Sequence, residues 1–189
     1  MRKLKLQVQM SVDGFVAGPN GEMDWMTWDW DEGIKNYVSA LHERVDTILL
    51  GRVLAQGFIN HWSTLATNPD TTDDFSRKMH ESLKIVFTKT LDSNEWENTS
   101  LEHGDLVASV NAVKEQPGGD IIAYGGGNFV SNLIKNDLID DYHLFVNPAA
   151  VGKGMPIFQG LESVHRLKLV EARPFECGIT VMHYKRSEK

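Results

Sequence analysis

A single cysteine, Cys177, stands among 189 residues, so no intrachain disulfide can form. Such a chain gains nothing from an oxidising compartment, and a cytoplasmic setting is expected. No run of about 20 apolar residues occurs, which excludes a helical membrane span. Met1 to Gln9 alternate polar with apolar residues and lack the continuous apolar stretch of a signal peptide. Positive charge is scarce: 19 Lys and Arg face 26 Asp and Glu, a net charge of −7. That balance opposes a nucleic-acid partner, whose phosphates must be neutralised by many cations. The histidines at 42, 61, 80, 103, 143, 165 and 183 have no ligand spacing, so no metal site is expected. Two phosphate-binding fingerprints are also missing. From Gly125 the G-x-G-x-x-G frame puts Val130 at its last position, and no Gly-Lys-Ser/Thr occurs. The length suits one domain, 1–189, and is ample for a core without a staple.

What is present alternates between strand and helix. Leu4, Leu6, Val8 and Met10 recur at period two, a strand with one face inward. Ile34, Tyr37, Val38 and Leu41 predict a helix over 31–44, and Thr47 to Leu50 a short buried strand. A helix is predicted from Arg52 towards Phe58, a polar loop over 63–74, and a short helix over 72–81. Lys84 to Phe87 reads as a strand, while 92–104 shows no periodicity. Leu106, Val107, Val110 and Val113 mark a helix closed by Pro117-Gly118-Gly119. Ile121 to Tyr124 is a strand, Phe129 to Ile134 a helix face, and Tyr142 to Val146 a strand. Two strands fill 165–185 around Pro174 and Gly178. This order predicts an α/β layer fold, its sheet mostly parallel with an antiparallel C-terminal edge.

Gly125-Gly126-Gly127 falls between a buried strand and a helix. Glycines there let backbone N–H groups face a ligand, and a helix N-terminus favours an anion such as a pyrophosphate. The same glycines would also serve a tight βα turn.

Several motifs now fall into an order. Ser11-Val12-Asp13-Gly14-Phe15-Val16-Ala17-Gly18 resembles the first strand and turn of the dihydrofolate reductase-like superfamily, and Leu50-Gly51-Arg52 its second phosphate-binding turn. Tyr124-Gly125-Gly126-Gly127, Leu138-Ile139-Asp140-Asp141, Pro148, Gly152-Lys153-Gly154 and Pro156-Ile157-Phe158 resemble the C-terminal reductase domain of bifunctional riboflavin-biosynthesis enzymes. The resemblance covers nearly the whole chain and is greatest to stand-alone bacterial members. It implies a three-layer α/β/α fold binding NADPH at the carboxyl edge of the sheet. It places the pyrophosphate at Gly125, Gly126, Gly127, Asn128 and Phe129, with Gly51, Arg52 and Val53 as a facing clamp. Thr88 and Lys89 would meet the adenosine 2′-phosphate, Lys89 as its cationic donor. Ala17 and Gly18 would border the nicotinamide. A homodimer is implied by the same analogy.

Met23 to Glu32 concentrates Trp25, Trp28 and Trp30 with Asp24, Asp29, Asp31 and Glu32. Indole faces stack on heteroaromatic rings, so the three tryptophans are candidate substrate contacts. Asp29 and Asp31 are candidate proton donors. The alternative is a loop packed by its indoles, with carboxylates loading a helix N-terminus. Counted from Trp25, the acidic substrate-binding position of dihydrofolate reductase falls on Trp30, a departure from the family pattern. Asp13 in its turn reads as structural Asx bonding. The expected activity is therefore hydride transfer from NADPH to a C=N or C=O group of a small pterin-, pyrimidine- or flavin-precursor-like ring. The alternative is an NADP(H)- or pterin-binding protein without turnover.

Overall fold

The computed structural model describes residues 1–187. Its first strand, β1 (Leu4–Met10), is followed by the short β2 (Phe15–Ala17) and helix α1 (Glu32–His42). Then come β3 (Val45–Gly51), α2 (Arg52–Thr67), α3 (Asp74–Glu81), β4 (Leu83–Phe87) and β5 (Thr99–Glu102). The second half holds α4 (Leu106–Glu115), β6 (Asp120–Tyr124), α5 (Gly127–Lys135), β7 (Asp141–Val146), β8 (Met155–Pro156), β9 (Leu167–Pro174) and β10 (Thr180–Arg186). Eight strands form one sheet in the order β5-β4-β3-β6-β1-β7-β10-β9, and β2 pairs with β8 alone. Neighbours from β5 to β7 run parallel, while β10 is antiparallel to both β7 and β9. The expected three layers and antiparallel edge are thus present.

Apolar side chains explain the layers. Leu4, Leu6, Val8 and Met10 meet Val110 of α4 and Val130, Leu133 and Ile134 of α5 on one face. Ile48, Leu50 and Ile122 meet Leu41 of α1, Ala55 and Ile59 of α2 and Met79 of α3 on the other. Burying each such side chain contributes about 1.5–3 kcal/mol. The alternation of β1 predicts one wet face, yet β1 lies mid-sheet under α1, with Gln7 buried. Its polar residues have assigned partners: Lys5 Nζ donates to the Leu41 carbonyl at 3.0 Å and pairs with Asp120 at 3.0 Å, and Tyr124 Oη lies 3.1 Å from Gln7.

Two local expectations are corrected, and one short strand pair is added. The predicted loop over 63–74 loses its first part to α2, which runs to Thr67. Phe58, Ile59 and Trp62 continue its apolar stripe, and the helix stops where Asn68 precedes Pro69 and turns extended. The unpatterned stretch 92–104 contains β5, an edge strand held by β4 alone. The β2–β8 pair was also outside the sequence reading, being too short for any period to register.

Candidate functional site

Parallel α/β sheets bind ligands beyond the carboxyl ends of their strands. Here the β3–α2, β4, β5–α4 and β6–α5 junctions enclose one cleft of about 930 Å³. It is lined by Gly51, Arg52, Val53, Thr88, Lys89, Gly126, Gly127, Asn128 and Phe129, nine of the residues the resemblance assigns to a dinucleotide. Two smaller hollows, about 220 and 470 Å³, lie at the amino end of the strands. Both are lined by Arg2, which pairs with Asp46, and the smaller one by the Lys114–Asp140 pair.

Helix caps set this cleft apart. Helices α1, α3 and α4 begin at Asp31, Asp73 and Asp105, whose carboxylates accept amides of their first turns. Helices α2 and α5 begin at Gly51 and Gly126, with no side-chain cap on either. Their first-turn N–H groups therefore point unsatisfied into the cleft with the positive ends of two helix dipoles. Arg52 lies at the same rim, exposed and without a hydrogen-bonded or ionic partner among the described residues. The glycines have separate reasons. A Cβ on Gly51 would sit 2.7 Å from Phe129 Cβ, so only glycine lets the two junctions approach. Gly125 has φ +146°, which favours glycine. A Cβ on Gly126 would meet nothing within 4 Å, because that side opens onto the cleft. An open volume, uncapped amides and an unpaired guanidinium together fit a pyrophosphate.

The remaining cofactor candidates have more specific settings. Ala17 lies in β2 and touches the cleft wall through its carbonyl, 2.2 Å from where a Gly154 Cβ would be. Gly18 donates its N–H to the Glu22 carbonyl at 2.8 Å. The buried Thr88 hydroxyl accepts the Thr90 and Leu91 amides at 3.1 and 3.0 Å, so it holds its own turn at the cleft wall. Lys89 donates to the carbonyls of His103 at 2.5 Å and Gly104 at 2.9 Å, which fixes its ammonium on the wall with a third proton to spare. Glu102 and Asp105 line the same end, a feature outside the sequence reading.

The tryptophan segment sits apart. None of Trp25, Trp28 and Trp30 lines the cleft. Trp25 donates its indole N–H to the Glu22 carbonyl at 3.1 Å. Trp30 is sandwiched between Trp28 and Phe145, centroids 6.5 and 6.1 Å away, and its N–H is bonded to the Thr27 carbonyl. Trp28 closes the stack and is 63% exposed, leaving its outer face free. Asp31, a candidate proton donor in the sequence, is engaged as a helix cap. Its two oxygens accept the Ile34 amide at 3.0 Å and the Cys177 amide at 2.9 Å. Those bonds, the Cys177 amide first, hold its carboxyl below the ordinary carboxylate range, so it stays ionised and caps α1. Asp29 is exposed beside Trp28.

Asn147 explains how the segment is anchored, and no local pattern marks it. Fully buried after β7, its side chain accepts the Thr27 amide at 2.8 Å and donates to Gln9 at 3.1 Å. The segment thus rests beyond β7, while the glycine turn follows β6. β1 lies between them, so the two flank its carboxyl end across two strand spacings, about 10 Å.

Known proteins bear on this arrangement. The uncharacterized YyaP protein of Bacillus subtilis is 32% identical over 184 residues, covering 97% of this chain and 94% of its own. A Thermotoga maritima diaminohydroxyphosphoribosylaminopyrimidine deaminase and 5-amino-6-(5-phosphoribosylamino)uracil reductase is similar in fold, with TM-score 0.69 and 17% identity over 98% of this chain and 57% of that one. Enterococcus faecalis dihydrofolate reductase, complexed with NADP(H), has TM-score 0.64 and 17% identity over 98% and 97% of the two chains. Residues 2–181 match the RibD C-terminal domain, and the chain belongs to that family.

Proposed function

We propose that this protein is an NADPH-dependent reductase of a small heterocyclic substrate, with its cofactor seated between the starts of α2 and α5. One observation carries the reading: two helices begun by uncapped glycines open onto a single cleft beside an unpaired arginine. Family membership and the NADP(H) of the Enterococcus complex support it. Amides at Gly127, Asn128 and Phe129 would hold one phosphate, and the Arg52 and Val53 amides with the Arg52 guanidinium the other. Ala17 and Gly18 would border the nicotinamide, and Lys89 the 2′-phosphate. NADPH, when bound, supplies the hydride.

The substrate ring would lie over the carboxyl end of β1, with Trp28, whose outer face is exposed, stacking on it. Trp25 and Trp30 would support that platform. Asp29 is the remaining side-chain candidate for the proton. A second reading, binding without turnover, is favoured by Trp30, which is packed and bonded and which, counted along the sequence from Trp25, falls at the acidic substrate-binding position of dihydrofolate reductase.

The cofactor reading has a direct test in thermal unfolding. Saturation at 100-fold above Kd adds about 2.7 kcal/mol to stability, a rise of about 5–10 °C for a chain of this size. NADPH should produce it, and NADH less. With Glu102 and Asp105 opposing Lys89, the preference should be about tenfold, the effect of one charge-assisted bond. Lys89→Ala should erase that preference while leaving NADH unchanged. Equal shifts from both cofactors in the wild type would refute the Lys89 assignment, and no shift from either would refute the cofactor. NADPH oxidation over pterins, pyrimidine intermediates and quinones separates a reductase from a binding protein.

A further inference from the structure

Asp13 makes contacts that neither phosphates nor ring require. Its carboxylate accepts the Ser11 hydroxyl at 2.6 Å. Across the fold it also accepts the backbone N–H groups of Val151 at 3.2 Å and Gly152 at 2.7 Å. This is a long-range clamp rather than the local Asx turn that its sequence context suggests. The carboxyl is held below its ordinary range, first by the Ser11 hydroxyl and, against desolvation, by the Gly152 and Val151 amides.

The two amides belong to a strap that leads from β7 through Lys153 into β8. The strap has no place in the main sheet, because β8 pairs only with β2 through Phe15–Pro156 and Ala17–Met155. It is nonetheless wedged tightly. A Cβ on Gly154 would lie 2.2 Å from the Ala17 carbonyl oxygen, and one on Gly127 would lie 3.1 Å from the Pro156 carbonyl oxygen. One side of the strap therefore touches the strand before Gly18, and the other the first turn of α5. Gly154, Met155 and Pro156 form the cleft wall between them. Upstream, the Ala149 carbonyl accepts the Val12 amide at 2.8 Å. Between that bond and β8, the backbone N–H groups of Val151 and Gly152 are bonded to Asp13.

We propose that Asp13 is a positioning residue, whose carboxylate holds the strap 151–156 against Ala17 and Gly127 and so fixes the wall of the cofactor cleft. The consequence for cofactor binding rests on the NADPH reading above. The clamp itself rests only on the hydrogen bonds. A carboxylate is needed because both partners are N–H donors. In Asp13→Asn one oxygen becomes a donor, and one of the two strap bonds is lost.

Lys153 supplies the test, since it lies exposed in the strap and trypsin cleaves after lysine. The full chain would be digested briefly with trypsin, and the Lys153–Gly154 cut followed by mass spectrometry. Losing a hydrogen bond to a charged group should raise the rate of that cut about tenfold in Asp13→Asn. The cut after Lys35, in α1, should keep its rate and so report any global loosening. Ser11→Ala removes the hydroxyl that orients the carboxylate, together with its bond from the Phe15 amide, and should change the cut in the same direction. Asp13→Glu should restore part of the protection. The NADPH Kd of Asp13→Asn should rise about tenfold in parallel, in keeping with a lost charge-assisted bond. An unchanged cut at Lys153 would overturn the clamp. A faster cut with unchanged NADPH affinity would overturn its role in the cleft. If the wild type binds no NADPH, the cofactor reading fails, while the cleavage rates still judge the clamp.

Discussion

Gly126→Asp is expected to weaken NADPH binding at least 100-fold while the unliganded protein stays as stable or becomes slightly more so. The opposite signs follow from one position. Gly126 is the N-cap of α5, with φ −58° and ψ 145°, a conformation open to any residue. A Cβ there meets nothing within 4 Å. Aspartate is a better N-cap than glycine by a few tenths of a kcal/mol, because its carboxylate accepts a first-turn amide. The same carboxylate would occupy the amides and the space that a pyrophosphate needs. Two like charges 4 Å apart repel by about 4 kcal/mol near a protein surface, and a 100-fold loss needs only about 2.7 kcal/mol. Calorimetric titration with NADPH and thermal unfolding of the unliganded variant measure the two halves. Retained affinity would show that the α5 N-terminus does not hold the phosphates. A destabilised variant would contradict the open setting of Gly126.

A steep loss of stability between pH 6.5 and 4.5 is the second large effect, and it comes from two buried imidazoles. His42 donates from Nδ1 to the Val38 carbonyl at 2.7 Å, leaving Nε2 to accept the Tyr124 hydroxyl. Burial first, then Lys78 and Lys5, push its pKa down to about 4, against the Val38 bond. His143 bonds the Tyr37 hydroxyl at 2.7 Å and stacks on His183 at 4.2 Å. Burial first, then the charge of His183, lower it to about 3, against the pull of Asp141. Both rings are therefore neutral in the fold and would take up protons near pH 6.5 once unfolded. The contribution is fully present above pH 6.5 and is lost as pH falls towards the folded values, because the unfolded chain binds more protons. By pH 4.5 the two together should remove about 5 kcal/mol, a loss on the scale of a whole domain's stability. Asp13, Asp31, Asp73 and Asp141, all lowered from 3.8, act below this window. Urea unfolding across the range should show the slope, and His42→Gln with His143→Gln should flatten it. The imidazole C–H resonances of both residues should stay in their neutral positions down to pH 5. Titration of either ring near 6.5 would contradict the assignment.

Elements whose chemistry repeats locally are legible in the sequence. The apolar period placed β1 and the inner faces of the helices, and short apolar runs placed β3 and β6, which bury both faces between the two layers. The glycine junctions of the cleft were legible because each joins a buried strand to a helix, although what holds Gly51 to glycine is Phe129, on the other junction. Long-range partners were not legible. Asp31 caps α1, but its second oxygen is held by Cys177, 146 positions away. The tryptophans share a segment, yet Asn147, 120 positions from Thr27, decides where that segment rests. Asp13 looks like a turn residue until its partners at Val151 and Gly152 are seen. The second half of α2 was hidden by Ser63, Thr64 and Thr67, although Phe58 and Trp62 continue its stripe.

Hydrogen exchange of backbone amides, with and without NADPH, tests the central claim most directly. The first-turn amides of α2 and α5 have no carbonyl within their own helices to bond. NADPH should slow exchange at Arg52, Val53, Gly127, Asn128 and Phe129, while α1, α3 and α4, whose first turns are capped by aspartate, should change little. Protection confined to other segments, or absent at saturating NADPH, would contradict the cleft as the cofactor site.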